Sequence, residues 1–259
     1  MIDTASIAPP RIALVTGGSR GIGRSIATAL AGQGSDIILT WRNGRAEAEA
    51  VVDAISRMGR RAVALQLDLG EGGTFEAFAE RIDRLLASVW DGARLQALVN
   101  NAGAHAPAPF GAITGTDADA LYAMHFKGPL FMAQALAPLL DDGGRIVNIS
   151  SSLTRHTAAG SLVYASMKAA MEVMSRYLAL ELGPRGIAVN AVAPGATGTD
   201  FFGGAVRDDP QLNSHLAAST ALGRTGVPDD IGAVVAALLA PGTGWLTGQR
   251  IEVSGGLLL

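Results

Sequence analysis

Short apolar runs alternate along the chain with longer segments in which apolar residues recur every three or four positions. The runs lie at 12–16 (IALVT), 36–41 (DIILTW), 61–67 (RAVALQL), 95–99 (LQALV), 145–150 (RIVNIS), 187–193 and near 249–254. Each predicts a strand. The segments at 22–31, 46–59, 74–90, 117–139, 162–182 and 229–240 predict helices, with Gly59 ending the second. Strands that are apolar on both faces and separated by helices make a mostly parallel sheet with helices on both faces. No linker or shift of composition divides the pattern, which predicts a single doubly wound α/β domain over 1–259. In such a domain a ligand sits beyond the carboxyl ends of the strands.

Composition narrows the chemistry. There are 20 Lys and Arg against 23 Asp and Glu, and no basic run, which predicts no nucleic-acid partner. The chain has no Cys, which excludes disulfides and thiolate catalysis, and the four His show no metal-ligand spacing, so no metal is expected. Residues 1–10 (MIDTASIAPP) lack the pattern of a secretory signal, and the run 231–240 is too short to span a bilayer, so the expected setting is cytoplasmic, without a membrane. A mean hydropathy of +0.30 points to a large core or a subunit interface.

The 33 glycines are scattered, as turns and close contacts require, but a few form a cluster where chemistry is expected. Thr16-Gly17-Gly18-Ser19-Arg20-Gly21-Ile22-Gly23 joins the first strand to the first helix, where backbone N–H groups and the helix dipole favour a pyrophosphate. The second strand ends in Thr40-Trp41-Arg42-Asn43. A carboxylate there would favour the free ribose 2′-hydroxyl of NAD, whereas Arg20 and Arg42 offer guanidinium donors to a 2′-phosphate. Asp36 stands too early in the strand to act as the acidic selector. Asp68 and Leu69 follow the third strand, where Asp68 equally suits a loop cap, and Asn100-Asn101-Ala102-Gly103 follows the fourth.

Ser151 ends the fifth strand, and Tyr164 and Lys168 stand four residues apart on the helix that follows. A ketone reduction needs hydride at carbon and a proton at the oxygen that becomes negative. Tyr164 can give that proton, Lys168 can favour its anion, and Ser151 can orient the carbonyl. Beyond the sixth strand, Pro194-Gly195-Ala196-Thr197-Gly198-Thr199 forms a sharp loop in which Thr199 can face a cofactor or cap a helix. Residues 199–222 suit either a substrate lid of short helices or a fixed excursion, and His105, Arg155, His156 and Phe202 are pocket candidates.

The TGxxxGxG loop, the NNAG tetrapeptide and the Ser151, Tyr164, Lys168 set, in this order, resemble the classical short-chain dehydrogenase/reductase family, over about residues 10–256. The resemblance implies a Rossmann-like domain, NADP(H) and reversible hydride transfer between nicotinamide and a carbonyl or secondary alcohol. It assigns cofactor contacts to Gly17, Ser19, Arg20, Gly21, Ile22, Gly23, Arg42, Asp68, Leu69, Asn101, Ala102, Gly103, Tyr164, Lys168, Pro194, Gly195, Thr197 and Thr199. It further implies a homotetramer built partly on helices 117–139 and 162–182, to which the apolar ending at Gly255–Leu259 adds exposed surface. The family's fourth catalytic group, an Asn that supports a proton relay, is replaced by His125. The branches it resembles include 3-oxoacyl reductases and reductases of small ketones. The acidic turn Leu140–Gly144 would not help to recruit an acidic carrier, which favours a small-molecule substrate. A non-catalytic nicotinamide-binding regulatory protein is the competing class.

Overall fold

The computed structural model describes residues 11–70 and 75–259. The amino-terminal decapeptide, on which the expectation about a secretory signal rests, lies outside the described residues, as does the first residue of the expected helix 74–90. Seven strands form: β1 (Ile12–Val15), β2 (Asp36–Trp41), β3 (Ala62–Gln66), β4 (Leu95–Asn100), β5 (Leu140–Ile149), β6 (Ala188–Pro194) and β7 (Arg250–Val253). They make one parallel sheet in the order β3-β2-β1-β4-β5-β6-β7. The helices are α1 (Gly21–Gly32), α2 (Arg45–Arg57), α3 (Phe75–Trp90), α4 (Gly115–Tyr122), α5 (Gly128–Leu136), α6 (Leu162–Leu182), α7 (Ala205–Asp208), α8 (Pro210–Ala218) and α9 (Pro228–Leu238).

Strand alternation divides the core in two. Ile12 and Leu14 of β1 join the cluster under α3, α5 and α6, while Ala13 and Val15 join the cluster under α1, α2 and α9. Both faces of the sheet are thus covered, and the chain is a single Rossmann-like domain. From the edge strand β3 it crosses over β2 and β1 to enter β4, which makes the boundary between β1 and β4 the topological switch point, where folds of this kind place their ligand.

Two elements depart from the expected pattern, and the stretch after the sixth strand takes one of its two expected forms. The helix expected over 117–139 breaks into α4, a wide π turn at Ala123–Lys127, α5 and a final 3₁₀ turn at Ala137–Leu139. Pro129 lacks the N–H that an α-helix would direct to the His125 carbonyl, and the Gly128 N–H reaches back to Ala123 instead. Strand β5 starts at Leu140, earlier than the expected 145, with a register shift opposite Leu95 and Ala97. The loop-rich stretch after 194 contains the short helices α7 and α8.

Two acidic features lie away from the carboxyl ends. Asp36, at the amino end of β2, accepts from Trp90 Nε1 at 2.7 Å and Arg61 Nε at 3.0 Å and pairs with Arg60 at 2.8 Å, a structural role. Asp141 and Asp142, near the amino end of β5, pair with Arg94 at 4.0 Å and Arg185 at 2.8 Å. Their location and pairing remove this turn as an argument about carrier recruitment.

Candidate active site

The glycine loop is held from two sides, by the end of β2 and by the segment after β4. Gly17 N–H donates to Thr40 Oγ1 at 3.1 Å and Gly18 N–H to Thr40 O at 2.8 Å, which ties the loop to the end of β2. Thr16 Oγ1 accepts from the N–H groups of Asn101 (2.9 Å) and Ala102 (3.0 Å), and Asn101 Nδ2 returns bonds to Thr16 O (2.9 Å) and Gly17 O (3.2 Å). Gly17 has φ +65°, and a Cβ there would stand 2.9 Å from Ala102 Cα. The NNAG segment therefore locks the glycine loop, with the short Asn101 side chain holding its backbone carbonyls.

The first helix ends the loop without a cap. Arg20, at the N-cap of α1, makes no side-chain capping bond, and the first turn carries no acidic residue. The N–H groups of that turn have no intrahelical partner and carry the positive end of the dipole. Across from it, Thr199 lies 3.5 Å from where a Cβ on Gly21 would be, and its hydroxyl accepts from Phe201 N–H at 3.1 Å. Thr199 is therefore both a cap and a neighbour of the loop. These features fit a dinucleotide pyrophosphate.

The remaining cofactor candidates divide. Arg42 pairs with Asp68 at 4.0 Å and Arg20 with Asp200 at 3.7 Å, with both guanidinium groups largely exposed. Asp68 also caps its own loop by accepting from Gly70 N–H at 2.9 Å. The Leu69 side chain is buried in the core, so a cofactor can meet only its backbone. Ile22 also packs on the core, while Ser19 lies close to Gly44 in the loop after β2. Pro194 pairs with Val253, Gly195 packs against Ser254, and the Thr197 hydroxyl turns back to Gly195 O at 3.0 Å.

Ser151, Tyr164 and Lys168 are all buried at the carboxyl ends of β5 and β6. Lys168 Nζ donates to Ile149 O at 2.6 Å and lies 5.7 Å from the centre of the Tyr164 ring. Removal from water lowers the Lys168 ammonium to about 7. Burial raises the Tyr164 phenol, opposed by a hydrogen bond with Ser151. Ser151 Oγ accepts from Leu153 N–H at 3.2 Å, which leaves its own proton to donate toward the phenol or a substrate carbonyl.

Aromatic rings enclose the phenol. His105 and His125 meet Tyr164 edge-on at 5.1 Å, and Phe201 stands at 5.8 Å. His105 also lies 4.2 Å from Phe202, whose φ of +56° is rare for a non-glycine residue and is followed by Gly203 and Gly204 at positive φ. Of the four pocket candidates, His105 and Phe202 join this enclosure. Arg155 and His156 instead face Glu252, at 3.5 and 3.8 Å. Phe201 escaped sequence reasoning because only the sharp turn at 202–204 brings it over Tyr164.

His125 sits in the π turn and is fully buried. Its Nε2–H donates to Ala104 O at 2.6 Å, and Nδ1 has no partner among the described residues. A Cβ on Gly103 would approach His125 Cε1 to 2.9 Å, so this glycine is required by the imidazole. Burial first, then the Lys168 charge, hold the His125 pKa well below its ordinary value.

Two buried bases set two windows of pH-dependent stability. Below the unfolded His value of 6.5 the unfolded chain gains a proton that folded His125 refuses, so stability is full above that pH and falls below it. For Lys168 the unfolded value of 10.5 and the folded value of about 7 make stability fall as pH drops through that interval. In urea titrations across pH, His125→Asn is expected to flatten the acid window and Lys168→Met the alkaline one. Unaltered slopes in both variants would show that neither base carries the linkage.

A family model described as enoyl-(acyl carrier protein) reductase matches residues 17–258. The chain belongs to the short-chain dehydrogenase/reductase family. It is an oxidoreductase of that class. A hydroxynaphthalene reductase-like protein of Metarhizium brunneum is 35% identical over 258 residues, covering 95% of this chain and 94% of that one. The promiscuous reductase LugOII, which catalyses keto-reduction at C1 in lugdunomycin biosynthesis, superposes with a TM-score of 0.91 at 36% identity, covering 97% and 99% of the two chains. The angucycline C-6 ketoreductase LanV, solved with bound NADP, gives a TM-score of 0.90 at 35% identity and covers 96% and 95%. Among the described residues no helix is long and apolar enough to cross a membrane, and no group of three or more His, Asp or Glu is arranged to hold a metal ion.

Proposed function

We propose that this short-chain dehydrogenase/reductase is an NADPH-dependent ketoreductase acting on fused-ring aromatic ketones, reversible toward the secondary alcohol. The observation that carries the substrate class is the ring enclosure of His105, Phe201 and Phe202 around the Tyr164 phenol. Flat rings gain about 0.5–1.5 kcal/mol from each well-placed aromatic neighbour beyond their buried area. The substrate classes in the names of the hydroxynaphthalene reductase-like protein and of the angucycline C-6 ketoreductase LanV support the same class.

NADPH, when bound, supplies the hydride. The chain's own part is to bind the dinucleotide on the open turn of α1, orient the ketone with the Ser151 hydroxyl and release the Tyr164 proton to its oxygen. Lys168 is then the charge that steadies the phenolate. His125 positions the loop at Ala104 and the Tyr164 ring as a neutral imidazole, in the place of the family Asn. We expect His125→Asn to retain turnover and His125→Leu, which strands the Ala104 carbonyl, to reduce it at equal folded fraction. A Leu variant with the parent's rate and pH profile would make His125 a filler.

The segment 199–222 acts in this reading as a lid whose Phe202 gives way to the incoming ring. A homotetramer is part of the same proposal, supported by the exposed Tyr177 and Leu180 of α6 and by Leu259. So is a cytoplasmic setting, where reduced nicotinamide is available. The deciding experiment compares α-tetralone with acetoacetyl thioesters under saturating NADPH. The ring ketone is expected to win by about 5- to 100-fold in kcat/KM, the worth of one or two aromatic contacts. A preference for the thioester would select the 3-oxoacyl reductase reading, and absence of hydride transfer to any ketone would select the regulatory one.

Cofactor choice carries its own expectation. Among the described residues Arg20 and Arg42 each meet a carboxylate only at 3.7 and 4.0 Å, in water, so a 2′-phosphate can compete for both. NADPH should bind more tightly than NADH by about 1–3 kcal/mol at fixed moderate salt, and Arg42→Ala should narrow the gap. Titration calorimetry with both cofactors measures it. Equal affinities would remove the two arginines from the recognition of the phosphate.

A further inference from the structure

The face of α6 that carries Tyr164 and Lys168 continues, one turn later, to Glu172. A single oxygen of this carboxylate, Oε1, accepts from Ser150 Oγ at 2.6 Å, Thr154 Oγ1 at 2.9 Å and Arg250 Nε at 2.9 Å. Ser150 and Thr154 bracket the turn that begins at Ser151. Arg250, from the edge strand β7, reaches the same turn through Nη2, at 3.0 Å from Thr154 Oγ1 and 3.5 Å from Ser151 O. Its Nη1 is anchored by Glu252 Oε2 at 2.7 Å. The side chains of Arg250 and Glu172 are only 13% and 12% exposed, so water cannot readily replace either partner.

We infer that the Glu172–Arg250 pair is a positioning device that fixes the Ser151 hydroxyl relative to the Tyr164 phenol. Ser151 stands just beyond the end of β5; within its own turn the Leu153 N–H reaches its hydroxyl at 3.2 Å, and the Thr154 N–H and hydroxyl reach its carbonyl at 3.2 and 3.0 Å. The Thr154 hydroxyl has one proton for two acceptors, Ser151 O and Glu172 Oε1, and the guanidinium donates to its oxygen. These local bonds close the turn but do not place it relative to its neighbours; the ties to α6 through Glu172 and to β7 through Arg250 do. Because Glu172 shares a helix face with Tyr164 and Lys168, the same carboxylate links the carbonyl-orienting group to the proton-donating one. Neither charged residue touches the reacting atoms in this role.

The inference rests on the proposed part of Ser151 in orienting the carbonyl, and the test separates the two. Single-turnover reduction of α-tetralone by NADPH is measured for Arg250→Met, Arg250→Lys and Glu172→Gln, each in the parent and in a Ser151→Ala background, with NADPH affinity and folded fraction on the same preparations. In the parent, Arg250→Met and Glu172→Gln are expected to lower the rate about tenfold or more with NADPH affinity changed less than about twofold, and Arg250→Lys to restore part of it. In the Ser151→Ala background the same changes should cost less than about twofold, since there is no hydroxyl left to misplace. Equal losses in both backgrounds, or losses that follow the folded fraction alone, overturn the inference. A Ser151→Ala protein as fast as the parent would instead remove the Ser151 reading. Should Arg250→Met fail to fold, Glu172→Gln and Arg250→Lys supply the same comparison.

Discussion

Replacing Tyr164 with Phe is expected to lower single-turnover hydride transfer by about 10²- to 10⁴-fold, the usual cost of losing a positioned general acid. NADPH affinity should change by less than about twofold, because the substitution keeps ring volume and removes only the hydroxyl. The ring is held at 5.1 Å by His105 and His125 and at 5.8 Å by Phe201, contacts that a phenylalanine reproduces. What disappears is the oxygen that Ser151 addresses and that burial keeps protonated. An upward-shifted phenol suits reduction, in which Tyr164 must begin as the acid. The reverse reaction needs the phenolate, so the parent's alcohol oxidation should rise with pH relative to reduction. Unchanged hydride transfer in the variant would take Tyr164 out of the reaction, and a ratio of oxidation to reduction independent of pH would take its ionisation out.

Much of this site is legible in the sequence because it depends on short-range rules. The apolar runs read directly as strands since both sheet faces are covered. The separation of Tyr164 and Lys168 fixes a shared helix face without coordinates. The glycine loop is recognisable from its place between β1 and α1. Even the end of the sheet on which Asp141 and Asp142 sit follows from their preceding the buried run of β5, and that position uncouples them from the catalytic mouth.

The less legible part depends on long-range contact or on a single exceptional backbone angle. Pro129 gives a local hint of a helix break, but its outcome, a π turn that buries His125 against Ala104, requires the loop after Gly103 to arrive from β4. Glu172 and Arg250 are 78 positions apart, and nothing in either neighbourhood announces the other. The core position of Leu69 follows from packing under Gly128, where a Cβ would stand 3.1 Å from Leu69 Cβ. Phe201 gains its role from the positive φ of Phe202, a conformation that propensity would not assign to that residue.

The other large effect is expected at a glycine with no chemical group to lose. A Cβ on Gly23 would stand 2.2 Å from Gly17 O and 2.5 Å from Asn101 Nδ2, both parts of the latch between the glycine loop and the NNAG segment. Neither is the free end of a long side chain, so Gly23→Ala must displace the loop, break the Asn101 bond to Gly17, or lift α1 away from it. Any of these misaims the N–H groups that the pyrophosphate needs. Losing two charge-assisted hydrogen bonds of about 1.5–3 kcal/mol each predicts NADPH binding weaker by at least about 100-fold. Gly32→Ala, at the other end of the same helix, has nothing within 4 Å of the added methyl and should be neutral or stabilising by up to about 1 kcal/mol. Calorimetry with NADPH and thermal unfolding on the two variants separate a local steric lock from a general intolerance of α1 to alanine. If Gly23→Ala binds NADPH as the parent does, the close approach of helix and loop is not what holds the cofactor site in shape.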